Sequence, residues 1–204
     1  MTDDETFLTV AGRGRAGFTV RGSEFVGHVA PAASVDAAET FVAAIREEYA
    51  DATHNVPAYR VRADPLREYQ DDADEPAGSA GKPALNVLQG QDLENVVAVV
   101  TRYFGGTKLG VGGLARAYGR AVNEAVDAAG VVETVPTETI ILRVDYDDSG
   151  TVRSVLESAA VDFEAAYEER VTVEVTVPRA EAAGLRDRLR SATSGRVAFV
   201  DPSG

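Results

Sequence analysis

Four cations, Arg102, Lys108, Arg116 and Arg120, stand with Gly105, Gly106, Gly110, Gly112, Gly113 and Gly119 in the segment from Asn95 to Asn123. That segment holds no Asp or Glu, although the chain has 33 of them. A basic, glycine-rich island in an acidic surface is where anion chemistry is expected. Glycines let a ligand's oxygens approach the main chain without meeting a Cβ. Cations beside a helix N-terminus add charge to unpaired N–H groups.

The elements that must position these residues are legible from pattern. Val96–Val100 reads as a short apolar strand, the glycine loop follows, and a helix starts near Gly112. Val111, Leu114, Tyr118, Val122, Ala125 and Ala129 recur at three- and four-residue steps and predict a core-facing stripe. Gly112, Arg116, Gly119, Arg120 and Asn123 fall on the other side, with Arg116 and Arg120 as neighbours. Tyr103 or Phe104, if exposed, would stack on a base.

Two known phosphate patterns fit poorly. A P-loop needs Ser or Thr after the lysine, and Leu109 follows Lys108. Gly110 to Ala115 satisfies Gly-x-Gly-x-x-Ala with Glu133 downstream, yet no doubly wound pattern surrounds it. The alternative is that these glycines serve turns and close packing, with the cations as solvated surface.

Composition narrows the classes. The chain has 204 residues, 45% of them hydrophobic, which suffices for one or two packed domains. Its formal net charge is -13, and Lys82 and Lys108 are its two lysines. Such acid-rich, lysine-poor usage suggests a salt-accumulating halophile. At ~1 M salt the Debye length is about 3 Å, which reduces repulsion of nucleic acid and also removes the gain from counterion release. The lack of cysteine excludes disulfides and thiolate chemistry. The acidic start Met1 to Glu5 and the lack of a long apolar run predict a cytoplasmic protein with no membrane segment.

Further strands are expected over Phe7–Val10, Gly17–Arg21, Glu24–Ala30 and Tyr59–Arg62, with a helix capped by Ser34. Leu66 to Pro83 reads as a long acidic loop in which Lys82 is expected to approach Lys108. Glu75 with Asp72 or Asp74 could hold magnesium, and His54 could act as a base. No nucleophile, base and oxyanion set is recognisable, so a binding module is favoured; an enzyme acting on a nucleotide or phosphoester is the rival. After Pro136 the order is βαββαβ, with Asp148 or Ser149 capping its first helix, which predicts a ferredoxin-like second domain. The expected division is therefore 1–136 and 137–204.

The run Thr101 to Gly119 resembles the signature of the IMPACT, or YigZ-like, family. Gly22-Ser23-Glu24-Phe25, then Ala52 to Asn55 with Ala58-Tyr59-Arg60, then Asp74 to Pro83 fit the same family in order. The chain departs from it at Asp74, where Gly is usual, and at Ala77, where Ser is usual. The resemblance implies an α/β first domain like domain 2 of ribosomal protein S5, and a ferredoxin-like second domain similar to those of elongation factor G. It also implies a role in translation, since eukaryotic members compete for a scaffold that activates a starvation kinase. The expected partner is RNA, the ribosome or a translation factor; no cofactor, catalytic residue or metal is assigned, and the oligomeric state is open. Arg102, Tyr103, Lys108, Gly112, Arg116, Arg120 and Lys82 are the expected phosphate or nucleic-acid contacts, with His54, Asn55, Glu75 and Ser79 supporting the loops.

Overall fold

The computed structural model describes residues 6–63 and 65–200. The chain divides into two compact units between Thr134 and Val135, two residues before the pattern change read at Pro136. In the first unit the elements are β1 (Phe7–Val10), β2 (Gly14–Val20), β3 (Ser23–Pro31), α1 (Val35–Glu48), β4 (His54–Val61), β5 (Arg67–Gln70), α2 (Gly81–Gly90), β6 (Val96–Tyr103), α3 (Val111–Ala129) and β7 (Val131–Thr134).

Five strands form an antiparallel sheet in the order β2-β3-β6-β4-β5, and β1 pairs separately with β7. The central strand β6 is buried from Val96 to Val100 because both faces are covered. Val97 and Val99 meet Ala38, Val42 and Ile45 of α1, whereas Val96, Ala98 and Val100 meet Ala84, Leu88 and the buried stripe of α3. Side chains alternate between faces along a strand, so this parity also decides where the later residues of β6 point. Ser34 caps α1 by accepting from the Ala37 N–H.

Two local readings differ from the structure. The stretch from Leu66 to Pro83 is not one loop: β5 lies inside it, and α2 begins at Gly81. Val111, placed in the α3 stripe by spacing, is exposed at the helix start, where no layer lies over it.

In the second unit β8 (Thr137–Val144), α4 (Tyr146–Ser158), β9 (Phe163–Tyr167), β10 (Val171–Pro178), α5 (Arg179–Ala192) and β11 (Ala198–Val200) build a sheet in the order β11-β8-β10-β9. This is the ferredoxin-like βαββαβ arrangement. Ile140, Leu142, Val144, Val173 and Val175 face Leu156, Leu185 and Leu189 of the two helices. α4 starts earlier than Asp148 or Ser149 would allow as caps; Asp148 instead accepts from Arg196 Nε and Nη2 at 2.8 and 2.7 Å. Among the described residues no helix is long and apolar enough to cross a membrane.

Candidate functional site

Arg102 shares its parity with Val96, Ala98 and Val100, so it points to the α2/α3 side of the sheet and is 4% exposed. Its Nη1 donates to Glu75 Oε1 at 2.5 Å, and its Nη2 donates to Ser23 Oγ. The same Glu75 oxygen accepts from the Tyr118 hydroxyl at 2.7 Å. Burial, then the hydrogen bond to Glu75, pushes the Tyr118 phenol well above its ordinary range, so it remains a donor. His54 lies 3.7 Å from Glu75 through Nε2, while its Nδ1 is 2.7 Å from the Ala73 carbonyl and must donate there. A charge removed from water needs this degree of pairing.

This placement corrects the expectation that Arg102 meets a phosphate: its guanidinium is committed to an internal carboxylate. Glu75 is likewise occupied by Arg102 and Tyr118, and among the described residues no group of three or more His, Asp or Glu could hold a metal ion. Glu75 and His54 do tie the 71–80 loop to the sheet. Ser79 is buried in that loop, and its Oγ and Arg102 Nε have no hydrogen-bond partner among the described residues. Asn55 sits elsewhere: it donates to the Tyr49 carbonyl and accepts from Thr101 Oγ1, joining β4 to the end of α1 and to β6.

The 71–80 loop is organised by Asp72, whose carboxylate accepts from the N–H groups of Gly78, Ala80 and Gly81 at 2.7, 3.0 and 2.8 Å. Burial alone would raise this carboxyl's pKa, but the three donations outweigh it and hold the group below the usual carboxylate range. Asp72 thereby supplies the anion at the start of α2. Ala73 and Asp74 both have positive φ, 47° and 68°, so the turn at Asp74, where the resemblance leads to an expectation of Gly, does require the left-handed region.

Beyond β6 the glycine loop lies against the β2–β3 turn. A Cβ on Gly105 would fall inside the backbone of Gly22, so the two turns meet main chain to main chain, and the Gly105 N–H also donates to the Ser23 side-chain Oγ. Arg21 and Gly22 both have positive φ, 47° and 83°, as a two-residue hairpin turn of the I′ kind needs. Phe104 is 46% exposed, with the Arg102 guanidinium 5.4 Å from its ring centroid. Tyr103 has the opposite parity; its hydroxyl donates to Asp51 just after α1, away from the α3 side. Lys108 is exposed in the loop and Lys82 is exposed at the second position of α2.

Alongside, β2 and α3 border a groove of about 310 Å³, lined by Phe18, Val20, Leu109, Gly113 and Ala117 below Arg21, Arg116 and Arg120. The Arg120 guanidinium lies 4.0 Å from the Phe18 ring centroid, and its Nε donates to Glu124. Gly112 sits beside this rim: a Cβ there would stand 3.6 Å from Arg116 Nη1, an ordinary contact. Among the described residues no carboxylate lines the groove. Arg116 and Arg120 are thus brought together as their spacing implies, while Lys82, Lys108 and Tyr103 are not among the lining residues. Arg21 is the cation that sequence reasoning missed; its Arg-Gly turn is a local hairpin signal, but only pairing of β2 with β3 brings it to α3.

The Impact N-terminal domain family matches residues 21–126, which span the Arg21–Gly22 turn, the Glu75 cluster and the α3 side of the groove. The chain belongs to the IMPACT family. A domain of unknown function, DUF1949, matches residues 142–196 of the second unit. The IMPACT family member YvyE of Bacillus subtilis is 34% identical over 192 residues, covering 94% of this chain and 88% of that protein. The family member YigZ of Escherichia coli is 32% identical, covering 89% and 90%. A crystal structure of a hypothetical protein aligns with a TM-score of 0.68 at 29% identity, over 97% of this chain and 98% of that one.

Proposed function

We propose that this IMPACT-family protein is a translation-associated regulatory protein that binds RNA through the phosphates it presents to the Arg21, Arg116 and Arg120 groove, with Lys108 on the adjoining loop. The carrying observation is the groove itself: three arginines and an apolar floor with, among the described residues, no lining carboxylate, in a chain of net charge -13. Guanidinium forks match phosphate geometry, and exposed Phe104 and the Arg120–Phe18 pair offer planar surfaces for bases. The translational setting is supported by membership of the IMPACT family, resemblance to which implies folds like those of ribosomal protein S5 and elongation factor G. The acid-rich, lysine-poor surface suits work in a high-salt cytoplasm, where shape and stacking contribute more than counterion release.

The test is affinity capture at ~0.1 and ~1 M KCl, a range over which electrostatic screening changes strongly, with and without RNase, by the parent and by a Lys108→Ala, Arg116→Ala double variant. RNase-sensitive capture of RNA by the parent, weakened in a double variant of unchanged melting temperature, is expected, because exposed substitutions usually cost under ~0.5 kcal/mol. Unchanged capture by the folded double variant removes the groove from the function.

A further inference from the structure

Strand β2 is the outermost strand of the five-stranded sheet and pairs with β3 alone, so one side of its backbone is open. Its two faces differ. Phe18 and Val20 line the groove toward α3, whereas Arg15, Gly17 and Thr19 have the other parity. On that second side lies another cavity of about 330 Å³, lined by Arg15, Ala16, Gly17, Phe18, Thr19, Glu24 and Val26. Phe18 lines both cavities, so they adjoin around the strand.

Cations follow the same path. Arg13 precedes β2, Arg15 lies on it, Arg21 ends it, and Arg116 and Arg120 face it from α3. All five are exposed. Among the described residues, Arg13, Arg15, Arg21 and Arg116 have no ion-pair partner, whereas buried Arg60 and Arg102 are committed to Glu68 and Glu75. Of the residues lining the two cavities, Glu24 alone is acidic. Arg15 and Arg21 are six positions apart, about 20 Å at the rise of a strand, which is more than one phosphate group spans.

Stacking geometry indicates which polyanion fits. One face of the Phe18 ring is stacked on Phe25, at 5.5 Å and 14°, and Arg120 lies over the ring at 4.0 Å. A planar guanidinium held on an aromatic ring is a platform for a base, and it reaches a base only where that base is unpaired. We infer that edge strand β2 carries a continuous track for a single-stranded polynucleotide, which stacks a base on Arg120, passes its phosphates by Arg21 and Arg116, and continues around the strand to Arg15. This rests on the groove being the phosphate site and extends it from one phosphate to several.

Fluorescence anisotropy with labelled mononucleotide, single-stranded octanucleotide (RNA and DNA) and duplex octamer tests it, using the parent, Arg15→Ala, Arg116→Ala and Glu24→Gln. The single-stranded octamer is expected to bind at least tenfold tighter than the mononucleotide or the duplex. Arg15→Ala should lower the octamer-to-mononucleotide affinity ratio at least threefold and reduce the logarithmic salt slope by about 1. Arg116→Ala should weaken both ligands, and Glu24→Gln should tighten the octamer. If Arg116→Ala weakens the mononucleotide while the octamer binds no tighter, or Arg15→Ala leaves the ratio unchanged, the track is overturned and the groove stands. If Arg116→Ala changes neither ligand, both readings are overturned. Equal competition by poly-glutamate would make the occupant an acidic peptide and also overturn the track.

Discussion

Removing either partner of the Glu75–Arg102 pair should cost far more than removing both. Arg102→Met leaves the carboxylate with only the Tyr118 hydroxyl and the His54 ring beside it; Glu75→Leu leaves a buried guanidinium with Ser23 Oγ. An uncompensated buried charge costs about 3–5 kcal/mol, so each single variant should fall in that range. In the double variant the charges are gone. Ser23 Oγ still accepts from the Gly105 N–H, and the Tyr118 hydroxyl is the main group left unsatisfied, at about 1–3 kcal/mol. The singles then sum to about 6–10 kcal/mol against about 1–3 for the double, a coupling of at least about 3 kcal/mol. Urea unfolding read by hydrogen exchange at the amides of β6 and α3 isolates the first unit. With a slope near 2 kcal/mol per molar, a loss of about 4 kcal/mol moves the midpoint by about 2 M. Single variants within about 1 kcal/mol of the parent, or a double variant equal to the sum of the singles, would refute the reading of a mutually dependent buried pair.

Three further outcomes are expected. Burial, aided by the Arg15 cation and opposed by Glu48, lowers His28 from 6.5 to about 4; its stabilising contribution is complete above pH 6.5 and is lost as the pH falls toward 4, up to about 3 kcal/mol. The parent's urea midpoint should decline over that window, and His28→Gln should flatten the decline; equal slopes would count against it. Asp72→Ala removes the acceptor of three N–H groups at the start of α2 and should cost about 1–3 kcal/mol, with faster exchange at Gly78, Ala80 and Gly81; unchanged exchange there would contradict the cap. Limited proteolysis near Val135 should release a stable C-terminal fragment of about 65 residues, and loss of all structure on cleavage would show that the units do not fold alone.

Locally coded features were open to reading from the amino-acid order. The α3 stripe of Leu114, Tyr118, Val122 and Ala125 follows from helical spacing, and the four strands and two helices after Pro136 follow from alternation and punctuation, because both periods are properties of neighbouring residues. The Ser34 cap has the same local origin. Helix α2 escaped because Gly78, Gly81 and Pro83 signal a turn, while the anion that steadies its start, Asp72, lies outside the helix. Arg102, Arg116 and Arg120 look alike as cations in one basic segment, yet one is buried and two border a groove. Strand parity points Arg102 inward, but only the loop that brings Glu75 to it, 27 positions away in sequence, makes that burial tolerable. Arg21 joins Arg116 and Arg120 only when β2 packs beside α3. Sequence therefore determined which side chains could share a helix or strand face, and tertiary structure decided which charges meet each other and which meet solvent, because that depends on contacts between segments distant along the chain.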